Sequence, residues 1–537
     1  MPIMQVLSGV AIRRSGPRSG SFLSQGVRVL VALMCVCSLF ILPGIQSWAA
    51  GGTDRLTALH KQHHDIHAKF AADIETLAAS CEQNSLESLA AEIRQLGIPL
   101  EQQPGNIDNL PTTIQLDVPV SLPAAERAAK VRVRKLRTDY SNALFSLSRK
   151  ALKDRHPSFA YRLVREVLFQ DPDHALARAL MGFRRAGSEW TTPFAADKKR
   201  RGLVWHKDFG WILSEHVARY AAGERLYKGN WITAEREELQ RAEFRNAWVV
   251  ETEHFQVKTN HSLQKGAHLA TSVEVFHHYF MREFAAFFQK PQQLDKLFKD
   301  GTGTRSGDRY DIDHFRLQSE FINRLAKQCP SAGQINGLYL PQERKAFFFH
   351  NPALPDSASL EPLYHEVTHQ LLSESSMQSV PVGHSRDFWV IEGIACYFES
   401  FHVAEDGSIT VGDINHPRIQ AARDQVMVNL DYEPLARFTA SGMLAFQKGE
   451  LPVLQRRYAQ ATGLTHFFLN YQDGLYRDGF IEYLAQIYSP DERVRAKAKT
   501  LEQILLVSNA ALDEQYKGYI RGMEQQAAVR PEVSRRK

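Results

Sequence analysis

The sequence has few cysteines, which excludes a fold held together by disulfides. Only five of its 537 residues are cysteine, and two of these, Cys35 and Cys37, lie in an N-terminal leader. The remaining three are Cys81, Cys329 and Cys396. They can form one disulfide at most, and the sequence does not indicate which pair would form it. Stability therefore has to come from packed hydrophobic cores, for which the chain is long enough.

The sequence also lacks a strong charge of one sign and any long run of lysine and arginine. Its formal net charge is +5. Four of these charges are arginines of the leader, which has no Lys, Asp or Glu, so the rest of the chain carries +1. This balance gives no electrostatic reason to expect a nucleic-acid partner. With 44% hydrophobic and 23% charged residues, the composition is that of a globular protein of several domains.

The leader, residues 1–49, has the three parts of a secretory signal peptide. Arginines come first, an apolar stretch covers residues 29–42, and the small residues of Ser47-Trp48-Ala49 follow. The apolar stretch is shorter than the ~20 residues that a membrane-spanning helix needs. We expect cleavage near Ala49, a secreted or periplasmic protein, and no stable membrane span after cleavage. An uncleaved membrane anchor is the alternative.

The chain behind the leader divides into regions of different pattern. Apolar residues recur at helical spacing from residue 55 onward, and residues 159–181 resemble the second half of a tetratricopeptide-type unit. A protein partner, if the chain has one, is expected at this helical region. Five of the seven tryptophans lie at 187–248, where we expect them to fill a small strand-rich module rather than to stack on sugars. The predicted boundaries are 50–186 for the helical region, 187–245 for the Trp-rich module, 246–490 for a further domain, and 491–537 for a C-terminal helix and basic tail.

An H-E-x-x-H motif at residues 365–369 is the strongest chemical signal. His365 and His369 are four residues apart and share one face of a helix, so both imidazoles can bind one Zn²⁺ ion. Glu366, one residue along, can then take a proton from a water that the metal activates. The alternative is a pair of core histidines satisfied by their neighbours. Residues 336–339 and 346–350 predict a hairpin beside this site.

A second motif follows at residues 389–399 (WVIEGIACYFE). Trp389, Glu392, Gly393, Ala395, Tyr397 and Glu399 match the W-x-x-E-G-x-A-x-Y-x-E run of the aminopeptidase branch of the gluzincin metallopeptidases. The chain thus resembles a gluzincin, specifically a bacterial branch of secreted gluzincin-like proteins in the peptidase MA group. The resemblance covers about half of the chain, from Trp248 to about Pro490.

The resemblance implies an α+β fold: a helical N-terminal region followed by a thermolysin/aminopeptidase-like catalytic domain with a helical C-terminal lobe. It also implies Glu392 as the third zinc ligand, which leaves the fourth coordination position open as in catalytic zinc sites. Glu399 is the competing ligand. Cys396 is expected to be a small core residue behind the metal.

Three further site residues are expected around the zinc. Tyr458 is the candidate donor to the oxyanion, because gluzincin aminopeptidases place a tyrosine at the start of such a helix. A packing role is the alternative for Tyr458, and His384 is the alternative donor. Asp387 could orient a ligand histidine. The histidines of the first helix are expected to form a polar face rather than a second metal site, because no acidic or cysteine partner stands at a defined spacing: His60, His63, His64 and His67.

The sequence therefore predicts an exported zinc metallopeptidase that binds one Zn²⁺ ion and hydrolyses peptide bonds of a peptide or protein substrate, with Glu366 as general base. No G-x-M-E-N sequence precedes the zinc helix, which puts aminopeptidase activity in doubt and favours cleavage within chains. Two alternatives stay open. One is a non-catalytic scaffold that uses the helical front end, and the other is a zinc hydrolase of a non-protein amide.

Overall fold

The computed structural model describes residues 46–100, 110–301, 309–375 and 382–529. Helices account for 60% of the structure and strands for 11%, so the predicted mixed α+β class is confirmed. The predicted signal peptide lies outside the described residues except for its last four, and the basic tail at 530–537 lies outside them as well. Within the described part of the chain, no helix has both the length and the apolarity to cross a membrane. The cysteines described there are all buried free thiols: Cys81, Cys329 and Cys396.

Five helices form the front of the chain, where apolar residues recur at helical spacing. Phe70 of the first helix stacks on Tyr140 of the third at a ring distance of 4.3 Å. The hydrophobic core of this bundle also takes in Leu294 and Phe298, which lie beyond the predicted boundary at residue 186. The helical bundle therefore shares its hydrophobic core with residues of the predicted domain at 246–490. Its helices are α1 (Gln46–Gln83), α2 (Glu87–Leu96), α3 (Ala124–Lys153), α4 (Pro157–Gln170) and α5 (Ala175–Leu180).

The Trp-rich region consists of three separate antiparallel hairpins, each followed by a helix, and not of one sheet. A tryptophan stands in the second strand of each hairpin: Trp190, Trp211 and Trp231. These residues recur 21 and then 20 residues apart, a period that the sequence analysis did not detect. The elements are β1 (Arg184–Ala186), β2 (Glu189–Thr191), α6 (Pro193–Arg200), β3 (Leu203–His206), β4 (Gly210–Leu213), α7 (Val217–Ala221), β5 (Glu224–Tyr227), β6 (Asn230–Thr233) and α8 (Ala234–Arg241).

These tryptophans fill local cores, as the sequence predicts. Trp190 is buried and donates its Nε1–H to Asp173 at 2.7 Å. The Trp231 ring lies under the guanidinium of Arg219, 3.8 Å from the ring centroid. Each hairpin is too short to bury a core of aliphatic side chains. A tryptophan ring with a polar or cationic partner takes the place of such a core.

A five-stranded sheet in the order β10-β11-β9-β8-β7 begins the next region. Its two outer pairs are antiparallel and its two inner pairs are parallel, so helices have to connect the parallel strands. The predicted hairpin is confirmed as β10 and β11, and β10 is an edge strand. The elements are β7 (Trp248–Glu251), β8 (Phe255–Thr259), α9 (Leu263–Glu283), α10 (Ala285–Phe288), α11 (Pro291–Asp300), β9 (Tyr310–Phe315), α12 (Gln318–Leu325), β10 (Gly337–Leu340) and β11 (Lys345–Phe349).

Helices predominate from residue 356 onward, and one hydrophobic core joins them to the sheet. All residues of α15 are buried, because α14 and α19 pack against it. The elements are α13 (Asp356–Ser359), α14 (Glu361–Glu374), α15 (Phe388–Phe398), β12 (His402–Val403), β13 (Ile409–Thr410), α16 (Pro417–Met427), α17 (Leu435–Thr439), α18 (Met443–Phe446), α19 (Leu451–Asn470), α20 (Arg477–Ile487), α21 (Glu492–Ala496), α22 (Leu501–Leu505) and α23 (Asn509–Val529).

The helical front end is attached to this last part of the chain through α4 and α20. Ser158, in the first turn of α4, donates its backbone N–H and its hydroxyl to the carboxylate of Asp478, at 3.1 Å and 3.0 Å. The first N–H groups of a helix have no partner within the helix. Asp478 therefore caps α4 from a helix more than 300 residues away.

Candidate metal centre

The H-E-x-x-H motif lies in the middle of α14, which is buried from Pro362 to Leu372. His365 and His369 are one helical turn apart, so their rings project from the same face. Their Nε2 atoms are 3.2 Å apart. The two nitrogens are thus directed at one point beside the helix.

Glu392 of α15 lies opposite the two histidines. Its Oε2 atom is 3.7 Å from Nε2 of His365 and 3.8 Å from Nε2 of His369. The side chain is fully buried, and neither of its oxygens has a hydrogen-bond partner among the described residues. A buried carboxylate in this condition carries a large desolvation penalty unless a cation compensates it.

The three side chains fit a metal ion. A tetrahedral zinc ion with ligand bonds of about 2.0–2.2 Å needs ligand atoms about 3.3 Å apart, close to the separations observed here. The three atoms lie within 4.8 Å of one another in a buried group. The group formed by His365, His369 and Glu392 can therefore hold a metal ion.

Gly393 allows α15 to approach α19 closely. A Cβ atom at this position would lie 2.6 Å from both the Ala461 carbonyl oxygen and the Thr465 hydroxyl. Any side chain other than hydrogen would force the two helices apart. Because Glu392 is the preceding residue, this contact also fixes the depth at which its carboxylate sits.

The protonation of the group differs between its members. Burial lowers the pKa of His369 to about 4, so this imidazole is neutral and ready to bind metal. Burial opposes the charged form of His365 too, but Cys396, Glu392 and Glu399 outweigh it and raise the His365 pKa well above its usual value. The pKa of Glu392 is lowered, because the two histidines outweigh the effect of burial. A metal ion entering the site has to displace a proton from His365.

Glu399 holds His365 from the other side of the ring. The Nδ1–H of His365 donates to Oε1 of Glu399 at 2.9 Å, and Arg418 of α16 donates to both oxygens of Glu399, at 2.7 Å and 3.0 Å. Burial would raise the Glu399 pKa, but Arg418 and His365 lower it to about 2. Glu399 is therefore an ionised carboxylate that orients a ligand, the role that we expected of Asp387.

His365, Cys396 and Glu399 form another group with ligand atoms close together. The guanidinium of Arg418 occupies this side of Glu399, and its positive charge disfavours a cation there. Between the two carboxylates, the geometry therefore favours Glu392 over Glu399 as the metal ligand. Cys396 is fully buried, as expected for a core residue.

Asp387 lies elsewhere. It precedes α15, and its Oδ2 accepts from Arg386 at 2.7 Å. The expectation that it orients a ligand histidine receives no support from this contact. Its backbone N–H instead donates to the carbonyl of Thr439 at 2.9 Å, which joins the start of α15 to the end of α17.

Glu366 faces the edge strand of the sheet. Its Oε2 accepts the backbone N–H of Tyr339 in β10 at 2.8 Å. A Cβ atom on Gly337, two residues earlier in the strand, would lie 3.0 Å from Cγ of Glu366 and 2.7 Å from the Phe348 ring. Glycine at this position therefore lets β10 pass directly over the carboxylate.

The two candidate oxyanion donors are placed differently. Tyr458 is buried on α19. Burial raises the pKa of its hydroxyl well above the usual value, and the nearby carboxylate of Glu392 raises this pKa further. The tyrosine therefore stays protonated. His384 is exposed, on the loop before α15. The structure thus brings Tyr458 to the neighbourhood of Glu392 and leaves the His384 side chain in solvent.

The histidines of α1 are used in packing. Nε2 of His63 lies 2.7 Å from the buried carboxylate of Glu166 on α4, and the His60 ring contacts Phe159. His64 is exposed. Among the described residues, none of these histidines belongs to a group with metal-ligand spacing. The acidic partner of His63 lies 103 residues away along the chain. The spacing of residues within one helix cannot indicate such a partner.

Sequence reasoning missed two members of the site. Arg418 stands in a segment without a motif, and the backbone N–H of Tyr339 has no side-chain signal at all. The predicted hairpin indicated only that β10 lies near the site. Neither contact follows from local sequence, because each joins segments that are distant along the chain.

A family model described as a protein of unknown function (DUF1570) matches residues 359–489. The matched segment extends from α13 to the end of α20 and includes His365, His369 and Glu392. No curated protein and no solved structure matches the chain.

Proposed function

We propose that the protein is an exported zinc metallopeptidase of the gluzincin type. The observation that carries this proposal is the buried carboxylate of Glu392, which faces two imidazole nitrogens and has no hydrogen-bond partner among the described residues. Two histidines and one glutamate leave a coordination position open, as catalytic zinc sites do. Glu366 stands beside these ligands on the same helix.

His365, His369 and Glu392 would hold the zinc ion. When bound, zinc acts as a Lewis acid that polarises the substrate carbonyl and acidifies water. Glu399 and Arg418 keep the His365 ring in position and its Nδ1 protonated. Deep burial keeps bulk water away from the ligands, so their electrostatic effect on the substrate is strong.

Glu366 would act as the general base. It accepts a proton from the attacking water and passes it to the leaving amine, the work of a carboxylate within hydrogen-bond reach of both. The N–H of Tyr339 holds one of its oxygens at 2.8 Å. This hydrogen bond fixes the orientation of the carboxylate beside the metal ligands.

Tyr458 would donate a hydrogen bond to the oxyanion. Its raised pKa keeps the hydroxyl protonated at neutral pH, and a buried neutral donor is effective where negative charge develops. His384 remains the alternative donor if its loop closes over the substrate.

Strand β10 would bind the substrate in extended conformation. It is the edge strand of the sheet and passes over Glu366, so a peptide paired with it would lie beside the ligands. This arrangement of edge strand, zinc helix and helical C-terminal part supports a thermolysin/aminopeptidase-like domain. Pairing along the backbone favours cleavage within chains and tolerates many side chains.

Export rests on the leader at residues 1–49. The rival functions remain a scaffold that uses the helical front end and a zinc hydrolase of a non-protein amide. The intact set of Glu366, Tyr458 and the ligands favours catalysis over a scaffold. The same residues would equally serve hydrolysis of another amide, so substrate profiling has to separate these two.

The test compares wild type with Glu366→Gln, Glu392→Gln and Tyr458→Phe in zinc content and in cleavage of a mixed peptide library. Glu366→Gln should keep its zinc and lose roughly 10²–10⁴-fold in rate. Glu392→Gln should lose one zinc ion and all cleavage. Tyr458→Phe should keep its zinc and cleave more slowly. Glu405→Gln, an exposed loop variant, is the control and should match wild type.

Wild type that binds no zinc would overturn the proposal and favour the scaffold. Zinc binding without cleavage of any peptide would redirect the search to other amides. Cleavage that survives Glu366→Gln would refute the assignment of the general base.

A further inference from the structure

A cluster of three histidines surrounds the carboxylate of Glu274, away from the metal centre. Glu274, His277 and His278 lie on α9, and His254 lies in the turn between β7 and β8. Nδ1 of His254 is 2.6 Å from Oε1 of Glu274, and Nε2 of His278 is 3.3 Å from the same oxygen. The catalytic proposal assigns no role to these residues.

We propose that His254, Glu274 and His278 form a second metal site that takes a zinc ion. One ligand atom from each of the three lies within 4.8 Å of the others. Glu274 and His278 are four residues apart, so they project from one face of α9. Imidazole and carboxylate are the ligand types that zinc prefers together.

The geometry needs little change to accept the ion. The separation of 3.3 Å between His278 and Glu274 equals the ligand spacing of about 3.3 Å in a tetrahedral zinc site. The distance between Nδ1 of His254 and Oε1 of Glu274 has to increase by under about 1 Å, as zinc replaces the proton that now lies between them. His254 is half-buried and lies in a turn rather than in a strand or helix.

Two contacts position the ligands before any metal binds. The backbone N–H of His254 donates to Oε2 of Glu274 at 3.1 Å, which fixes the carboxylate against the turn. The His254 ring stacks on the buried ring of His277, with 4.0 Å between centroids. His277 would thus orient a ligand without binding the ion.

The electrostatics also favour a cation. The strongest partners of the Glu274 carboxylate are His254 and His278, which are neutral when they bind a metal. In the group formed by His365, Cys396 and Glu399, by contrast, the permanently charged guanidinium of Arg418 forms an ion pair with the Glu399 carboxylate. Of these two additional groups, the one on α9 is therefore the better cation site.

A metal at this position would clamp α9 to the turn between β7 and β8. Phe276, between Glu274 and His278 on α9, packs against Tyr364 at a ring distance of 5.1 Å, and Tyr364 precedes His365. The second site would therefore brace the helix that supports the zinc helix.

The experiment counts zinc ions per chain after equilibration with Zn²⁺ in wild type, Glu392→Gln, His278→Ala and the double variant Glu392→Gln/His278→Ala. We expect two, one, one and none. His278 is 44% exposed, so its truncation leaves the core intact. Glu274→Gln is the second variant and should lose the same ion. His268→Ala, an exposed histidine on the same helix, is the control and should keep both.

Equal zinc content in wild type and His278→Ala would overturn this site, as would the loss of an ion from His268→Ala. Equal zinc content in Glu392→Gln and the double variant would overturn it too. If Glu392→Gln binds as many zinc ions as wild type, only the assignment of the catalytic site is refuted. The two proposals can therefore fail separately.

Discussion

Nδ1 of His365 donates to Oε1 of Glu399 across 2.9 Å, and Arg418 holds both oxygens of the same carboxylate. This chain of three side chains ends at the candidate metal group and comes from α14, from the residue that caps the C-terminus of α15, and from α16. It fixes which nitrogen of His365 is free to bind a metal. The strength of the metal centre therefore depends on residues that do not touch the ion.

The first prediction follows from this chain. Glu399→Ala should weaken zinc binding by roughly 10–100-fold, because His365 loses its orientation and the half-buried Arg418 loses its counter-charge. Competition with a zinc chelator measures the change. Glu405→Ala, in an exposed loop, should bind zinc as wild type does. An unchanged affinity in Glu399→Ala would show that packing alone positions His365.

The second prediction concerns the contact between α15 and α19. Gly393→Ala should destabilise the protein by about 1–3 kcal/mol, since the new methyl group would meet the Ala461 carbonyl at 2.6 Å. Gly518→Ala on α23 is the matched control, because nothing lies within 4 Å of its Cβ position. That change should stabilise the protein by about 0.5–1 kcal/mol, the ordinary preference of a helix for alanine. Urea unfolding of both variants gives the comparison, and a stability gain in Gly393→Ala would disprove the close approach.

The third prediction concerns the attachment of the helical front end. Asp478→Ala should cost about 1.5–3 kcal/mol, because two hydrogen bonds to a charged group are lost and the start of α4 loses its cap. Glu482→Ala, exposed on the same helix, should stay within about 0.5 kcal/mol of wild type. Thermal unfolding of the two variants checks this. Equal effects would mean that α4 is capped in another way.

The fourth prediction concerns pH and Glu166. Burial would raise the pKa of this carboxyl, but His63 and Tyr140 outweigh it and lower the pKa below its usual value. A lowered pKa in the folded state contributes stability above the unfolded pKa of about 4.3, and this contribution disappears as the pH falls through the folded value. Wild type should therefore be more stable than Glu166→Gln at pH 7, and the difference should shrink below about pH 4.

Free energies of unfolding of wild type and Glu166→Gln at several pH values test this. Glu92→Gln, at an exposed position of α2, should show no such convergence with wild type. A difference that stays constant from pH 7 down to about pH 3 would mean that the Glu166 charge contributes nothing.

Much of the fold could be predicted because its signals are local. Apolar spacing located the helices of the front bundle, and the polar turn between two short apolar runs located the hairpin of β10 and β11. The repeated hairpins of the Trp-rich region were missed, since each unit has only about 20 residues and its strands are three or four residues long. The shared core of the front bundle and α11 was missed because packing between distant segments leaves no local pattern.

The sequence by itself determined the ligand types and their spacing along the chain. His365 and His369 converge because any helix places residues i and i+4 on one face, whatever surrounds it. Only the tertiary structure decided that Glu392 rather than Glu399 faces the two Nε2 atoms, that Arg418 neutralises Glu399, and that β10 covers Glu366. These outcomes depend on how closely the helices and strands pack against one another. Side chains from distant segments determine that packing together, so no local stretch of sequence indicates it.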